Sequence, residues 1–150
     1  MLLTWKASEM TISFPQAEYL NQLECMEHTA LPSWLAKALP HENPSDSPAR
    51  TIDCLAQLLT AKKAVWQAAV DTALAADELR RYQKYAKPGQ PSAHIVQLRQ
   101  KQAAARQASS ISRQSYIKAA TAFVREARLE VPPRVTIDVF VTGWIDRHLG

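Results

Sequence analysis

The sequence predicts an all-α protein: a long antiparallel helical hairpin, about residues 49–87 and 92–130, packed with shorter N- and C-terminal helices. Three observations lead there. Only three glycines occur among 150 residues, too few for a turn-rich β fold. The prolines leave two unbroken segments of nearly equal length, Ala49 to Lys87 and Ser92 to Val131. Apolar residues recur in both segments at helical spacing.

From the N-terminus, Thr11 to Phe14 reads as extended chain. Gln16 to His28 follows Pro15 and reads as a helix, with Tyr19, Leu20, Leu23 and Met26 on one side. Leu31 to Leu39 adds a short helical turn around Trp34. Residues 40–48 hold three prolines among Asn, Ser and Asp, the composition of a surface loop.

The first hairpin arm carries Leu55, Leu58, Leu59, Trp66, Ala69, Val70 and Ala73 within one face at 100° per residue. Past Ala76 that face passes to Asp77, Arg80 and Lys84, so the tip is expected to protrude from the core. Lys87-Pro-Gly-Gln-Pro91 is a compact breaker that makes the turn. The second arm places Leu98, Ala105, Tyr116, Ala120, Phe123 and Ala127 on one face, with Ser112 interrupting the stripe. Val131-Pro132-Pro133 ends that arm. Val135 to Leu149 satisfies both periods. Val135, Ile137, Val139 and Val141 alternate like a strand, while Ile137, Phe140, Val141, Trp144, Ile145 and His148 repeat like a helix. Pro133 suits a first helical turn and no second strand stands ready to pair, so helix is the expectation. No internal repeat is evident. A two-helix hairpin cannot close a core alone, so the flanking helices are expected to cover it within one domain, residues 1–150.

Composition excludes several classes. At 47% hydrophobic and 21% charged residues, neither wholesale disorder nor a disulfide scaffold fits. The longest uncharged stretch is eleven residues, Pro88 to Leu98, far short of the roughly 20 that cross a bilayer. Met1 to Met10 has no signal-peptide pattern, and two cysteines make no secreted framework, so a reduced cytoplasmic protein is expected. Glycines this sparse exclude phosphate-cradling loops. Cys25, His28, His41 and Cys54 are of zinc-ligand type, but their spacing fits no standard zinc pattern. Glu18, Glu24 and Glu27 read as a solvated acidic face, and no Cys–His or carboxylate arrangement assembles a catalytic site. No enzyme, metal or cofactor is expected.

Charge is the most informative feature. Residues 1–78 hold five basic and ten acidic side chains, net −5; residues 79–129 hold eleven and one, net +10; the remainder is net −1. Folding the hairpin gathers Arg80, Arg81, Lys84, Lys87, Arg99, Lys101 and Arg106 toward one end. Arg99, Arg106 and Arg113 recur every seven residues as a stripe. Guanidinium groups grip phosphates bidentately, glutamines and serines beside them add polar contacts, and Tyr82 and Tyr85 are placed to stack on bases. The expectation is a non-catalytic protein that binds nucleic-acid backbone through these eight residues, as an accessory or subunit of a larger nucleoprotein assembly. The alternative is an adaptor, chaperone or inhibitor whose basic helix docks an acidic protein. A membrane surface would require bulky apolar residues opposite the charge, where this arm offers mostly alanine.

Overall fold

The computed structural model describes residues 14–26, 31–39, 48–84 and 93–149. These form five helices: α1 (Ala17–Cys25), α2 (Ser33–Ala38), α3 (Pro48–Gln83), α4 (Ala93–Ala127) and α5 (Ile137–Leu149). No strand occurs among the described residues. α3 and α4 are the expected hairpin, and their mutual packing is by far the most extensive between any two helices. Pro48 is the first residue of α3, where its missing N–H costs nothing. Of the expected features, Thr11–Ser13, residues 27–28 of the first helix, residues 40–47 of the loop and the whole turn, residues 87–91, lie outside the described residues.

The hairpin is joined along a seam whose residues alternate three and four apart. On α3 these are Leu58, Ala61, Val65, Ala68, Thr72, Ala75 and Leu79; on α4, Ile95, Leu98, Gln102, Ala105, Ser109, Ser112, Tyr116, Ala119 and Phe123. All are buried or half-buried. A mean spacing of 3.5 residues is the coiled-coil period, and it drifts by roughly 20° per heptad from a straight 3.6-residue stripe. The stripe expected from Leu55 to Ala73 lies mostly on another side of α3 from this seam, the side on which the Trp66 ring meets Phe14 with centroids 6.1 Å apart. Ala69 and Ala73 are exposed, and the seam passes through Ala68 and Ala75 instead. The apolar face therefore does not end at Ala76. It continues to Leu79, which packs with Ile95 and Leu98 in a small cluster at the tip. Ser112 likewise belongs to the seam: its hydroxyl donates to the Ser109 carbonyl at 2.9 Å, and Thr72 does the same to Ala68 at 2.7 Å. Their donors are thus satisfied within their own helices.

The main core sits at the opposite end. Ile52, Leu55, Leu58 and Leu59 of α3 and Tyr116, Ala120, Phe123 and Ala127 of α4 are covered by Leu20 and Leu23 of α1, Leu35 of α2, and Val141, Trp144, Ile145 and Leu149 of α5. Phe123 is wholly buried, its ring 5.1 Å from that of Trp144. Val139 is 61% exposed while Val141 is buried, so the helical period governs α5 and the strand-like alternation is incidental. α4 ends on Arg128 at φ 55°, and the Leu129 amide reaches back to the Val124 carbonyl at 3.0 Å. This is a Schellman ending with arginine where glycine is usual. It turns the chain so that α5 folds back on the core. Two polar ties complete the arrangement. Lys62 donates to the Gln16 side chain at 3.0 Å and lies 3.8 Å from Asp146 of α5. The Tyr116 and Thr142 hydroxyls are hydrogen-bonded at 2.7 Å, and burial pushes the Tyr116 phenol above its ordinary range.

Two substitutions test this packing. Gly143 lies inside α5, and a Cβ there would meet nothing within 4 Å. Gly143→Ala should raise stability by about 0.5–1 kcal/mol in urea melts. Ala75→Leu should instead lower it by about 1–3 kcal/mol, because a larger side chain forces the seam apart.

Candidate nucleic-acid interface

The seam sorts the charged residues onto two edges of the rod. Glu78 of α3 and Lys101 of α4 mark one edge and meet across the hairpin at 3.4 Å. Asp71 shares the Glu78 register, seven residues earlier, and accepts a hydrogen bond from Gln67 at 2.9 Å. Arg81 and Lys101 line one shallow groove there with Leu74, Asp77, Glu78 and Tyr82. On the other edge α4 presents Arg99, Arg106 and Arg113, all exposed. Continuing by sevens gives Ala120 and Ala127, both buried in the main core. The same edge therefore carries alanine where α5 covers it and arginine beyond. The matching register of α3 runs Leu55, Lys62, Ala69, Ala76 and Gln83, with no carboxylate in it.

The eight predicted residues fall into three groups. Lys87 lies outside the described residues. Arg80 and Lys101 are answered by acids: Arg80 sits 3.2 Å from Asp77, and Lys101 holds Glu78. The Asp77 partner is thus Arg80, one turn away at i+3, rather than Arg81 at i+4. Both pairs are solvent-exposed, where such contacts contribute little stability. Arg81, Lys84, Arg99, Arg106 and Arg113 are exposed and have no carboxylate within 4 Å among the described residues. Arg113 feels an acid at longer range, Asp138 at the start of α5, and Arg81 shares its groove with Asp77 and Glu78. Glu78 is one of the acids, with Asp53, Asp71 and Asp77, that the first arm offers as counter-charges to the basic face, and it meets Lys101; Asp138 was not foreseen, because only the fold brings it to α4.

The other candidates separate. Tyr82 is 46% exposed and its ring stands edge-on to His94, with centroids 4.5 Å apart, so part of its surface is already taken. Tyr85, Glu27, His28 and His41 lie outside the described residues. Cys25 is exposed and Cys54 half-buried, and burial pushes the Cys54 thiol above its ordinary range. No group of three or more His, Cys, Asp or Glu side chains is disposed to hold a metal among the described residues. No described helix is long and apolar enough to cross a membrane.

Comparison with protein-family models, with curated proteins and with solved structures found no match to this chain.

Asp138 supplies a test of the local electrostatics. The Thr136 hydroxyl first, then backbone amides and Arg113, hold its carboxyl below the usual range. A carboxyl depressed by folding stabilises fully above its unfolded value, about 3.9, and loses that contribution as pH falls through the folded value. Asp138→Asn should therefore narrow the gap between urea midpoints measured at neutral and acid pH. An unchanged gap would show that this carboxylate has no part in acid unfolding.

Proposed function

We propose that this protein binds the phosphate backbone of nucleic acid along the α4 edge and the adjoining tip of α3, without catalysis and without base specificity. One observation carries the reading. From Ala93 to Arg125, α4 contains six basic residues and not one acid. A helix so composed can lie against a polyanion along its whole outward side without meeting like charge. The five side chains Arg81, Lys84, Arg99, Arg106 and Arg113 supply the grip, since none must first be freed from a described carboxylate. They stand on a rigid two-helix frame, so little ordering is needed on binding. Arginine also suits the task chemically, because its planar fork matches two phosphate oxygens at once. Such a surface serves an accessory or subunit of a nucleoprotein assembly.

Salt dependence measures the contact number. With five phosphates engaged, log K should fall against log salt with slope about −4.5 on duplex DNA. Arg99→Glu with Arg106→Glu should abolish binding while shifting stability by no more than about 0.5 kcal/mol each. Absence of binding at about 50 mM salt would discard this function in favour of an acidic protein partner. A large loss of stability in the double variant would mark the arginines as structural.

A further inference from the structure

We infer that the ligand of this edge is duplex DNA in B form, held by three Arg–Gln doublets that α4 repeats at a fixed interval; the inference rests on the backbone-binding reading above and names its partner. The doublets are Arg99-Gln100, Arg106-Gln107 and Arg113-Gln114. Their seven-residue repeat is invisible at domain scale but regular within the helix. All six side chains are exposed. Because α4 is one unbroken helix through this region, the repeat becomes a ladder with rungs about 10.5 Å apart.

Three features select a duplex. The first is shape. The ladder is carried by one unbroken helix, and the anionic walls it must meet are also fixed. The major groove of B-DNA is about 12 Å wide and admits one α-helix, with phosphates along both lips. An RNA duplex closes that groove to a deep, narrow slot that side chains do not enter. The second feature is what each doublet offers. The arginines flank the seam and the glutamines stand one position further round, on the outward side of α4. Arginine supplies charge to phosphate, while the glutamine amide both donates and accepts and so pairs with whichever polar edge a groove presents, without selecting a base. Ala103 and Ser110, on the same outward side, are small and exposed, while Val96 and Ile111 stand exposed among the glutamines as apolar contacts of the kind a groove meets at thymine methyls. The third is the missing ingredient of single-strand recognition. Proteins that hold single strands stack bases on aromatic rings. Between Ala93 and Ser115, α4 has no Phe, Tyr or Trp. The nearest exposed ring described, Tyr82, is engaged with His94.

The test compares the intact protein on three probes of one sequence: a DNA duplex, the corresponding RNA duplex and the DNA single strand, each titrated at low salt by fluorescence anisotropy. The duplex DNA should bind at least about tenfold tighter than either competitor. Equal or tighter binding of the single strand or the RNA duplex would overturn the inference while leaving the backbone-binding function standing. Silence on all three probes would end both. The doublet has its own readout. Gln100→Ala, Gln107→Ala and Gln114→Ala together keep the helix, since alanine is the better helix former and the positions are exposed. This variant should weaken duplex binding about tenfold with an unchanged salt slope, whereas Arg106→Ala should reduce the slope by about 0.9. Wild-type affinity in the triple variant would remove the glutamines from the interface and refute the ladder.

Discussion

Two helices of 36 and 35 residues stay together here because the middle of their shared seam is built from small side chains. Ala61, Ala68, Thr72 and Ala75 face a row that includes Ala105, Ser109 and Ser112. Small residues let backbones approach closely, so dispersion contacts replace the bulk of a leucine core. The Thr72 and Ser112 hydroxyls cost little in burial, because they bond carbonyls one turn back. No described buried side-chain donor or acceptor is left without a partner. Everything else follows from this close approach. It carries the tip away from the main core, and it fixes which side chains of α4 face outward.

The charge pattern is a consequence of the same register. A 3.5-residue seam gives each helix two flanking positions, and in an antiparallel pair like flanks meet like flanks. One flank joins Glu78 to Lys101. The other sets arginines beside alanines, and leaves them facing solvent until α5 arrives and alanine takes over. The base of the hairpin and its tip are thus written in one heptad with two alphabets, apolar under the covering helices and cationic beyond them. From Ala93 to Arg125 the acid-free composition of α4 has no structural necessity in the packing.

Much of this was legible in the sequence. Helix existence followed from glycine scarcity and proline punctuation, and the arms came out within a few residues of the observed ends. The second arm was read nearly in full, because Leu98, Tyr116, Ala120, Phe123 and Ala127 are bulky or strictly spaced. Beyond Leu59 the first arm's expected stripe follows the side toward Phe14, where Trp66 and Val70 are half-buried; Ala69 and Ala73 on that side are exposed, because the hairpin seam runs on another side of the helix, through Ala68 and Ala75. Alanine-rich stretches hide such a difference, since alanine is at home on either face. For the candidate interface, the basic residues and their seven-residue spacing were visible. The acids of the first arm were visible as counter-charges too, but not which of them would pair: Glu78 reaches Lys101, and Asp138 approaches Arg113, only through folding.

The molecule's apolar mass is divided unequally. A broad cluster draws on all five helices, a three-residue cluster closes the tip, and a narrow strip of small side chains connects them. Such a division makes for graded cooperativity. Backbone amides around Phe123, under the broad cluster, exchange only when the whole fold lets go. Protection along α3 and α4 therefore peaks at the base, where every helix contributes a side chain to one shared interior.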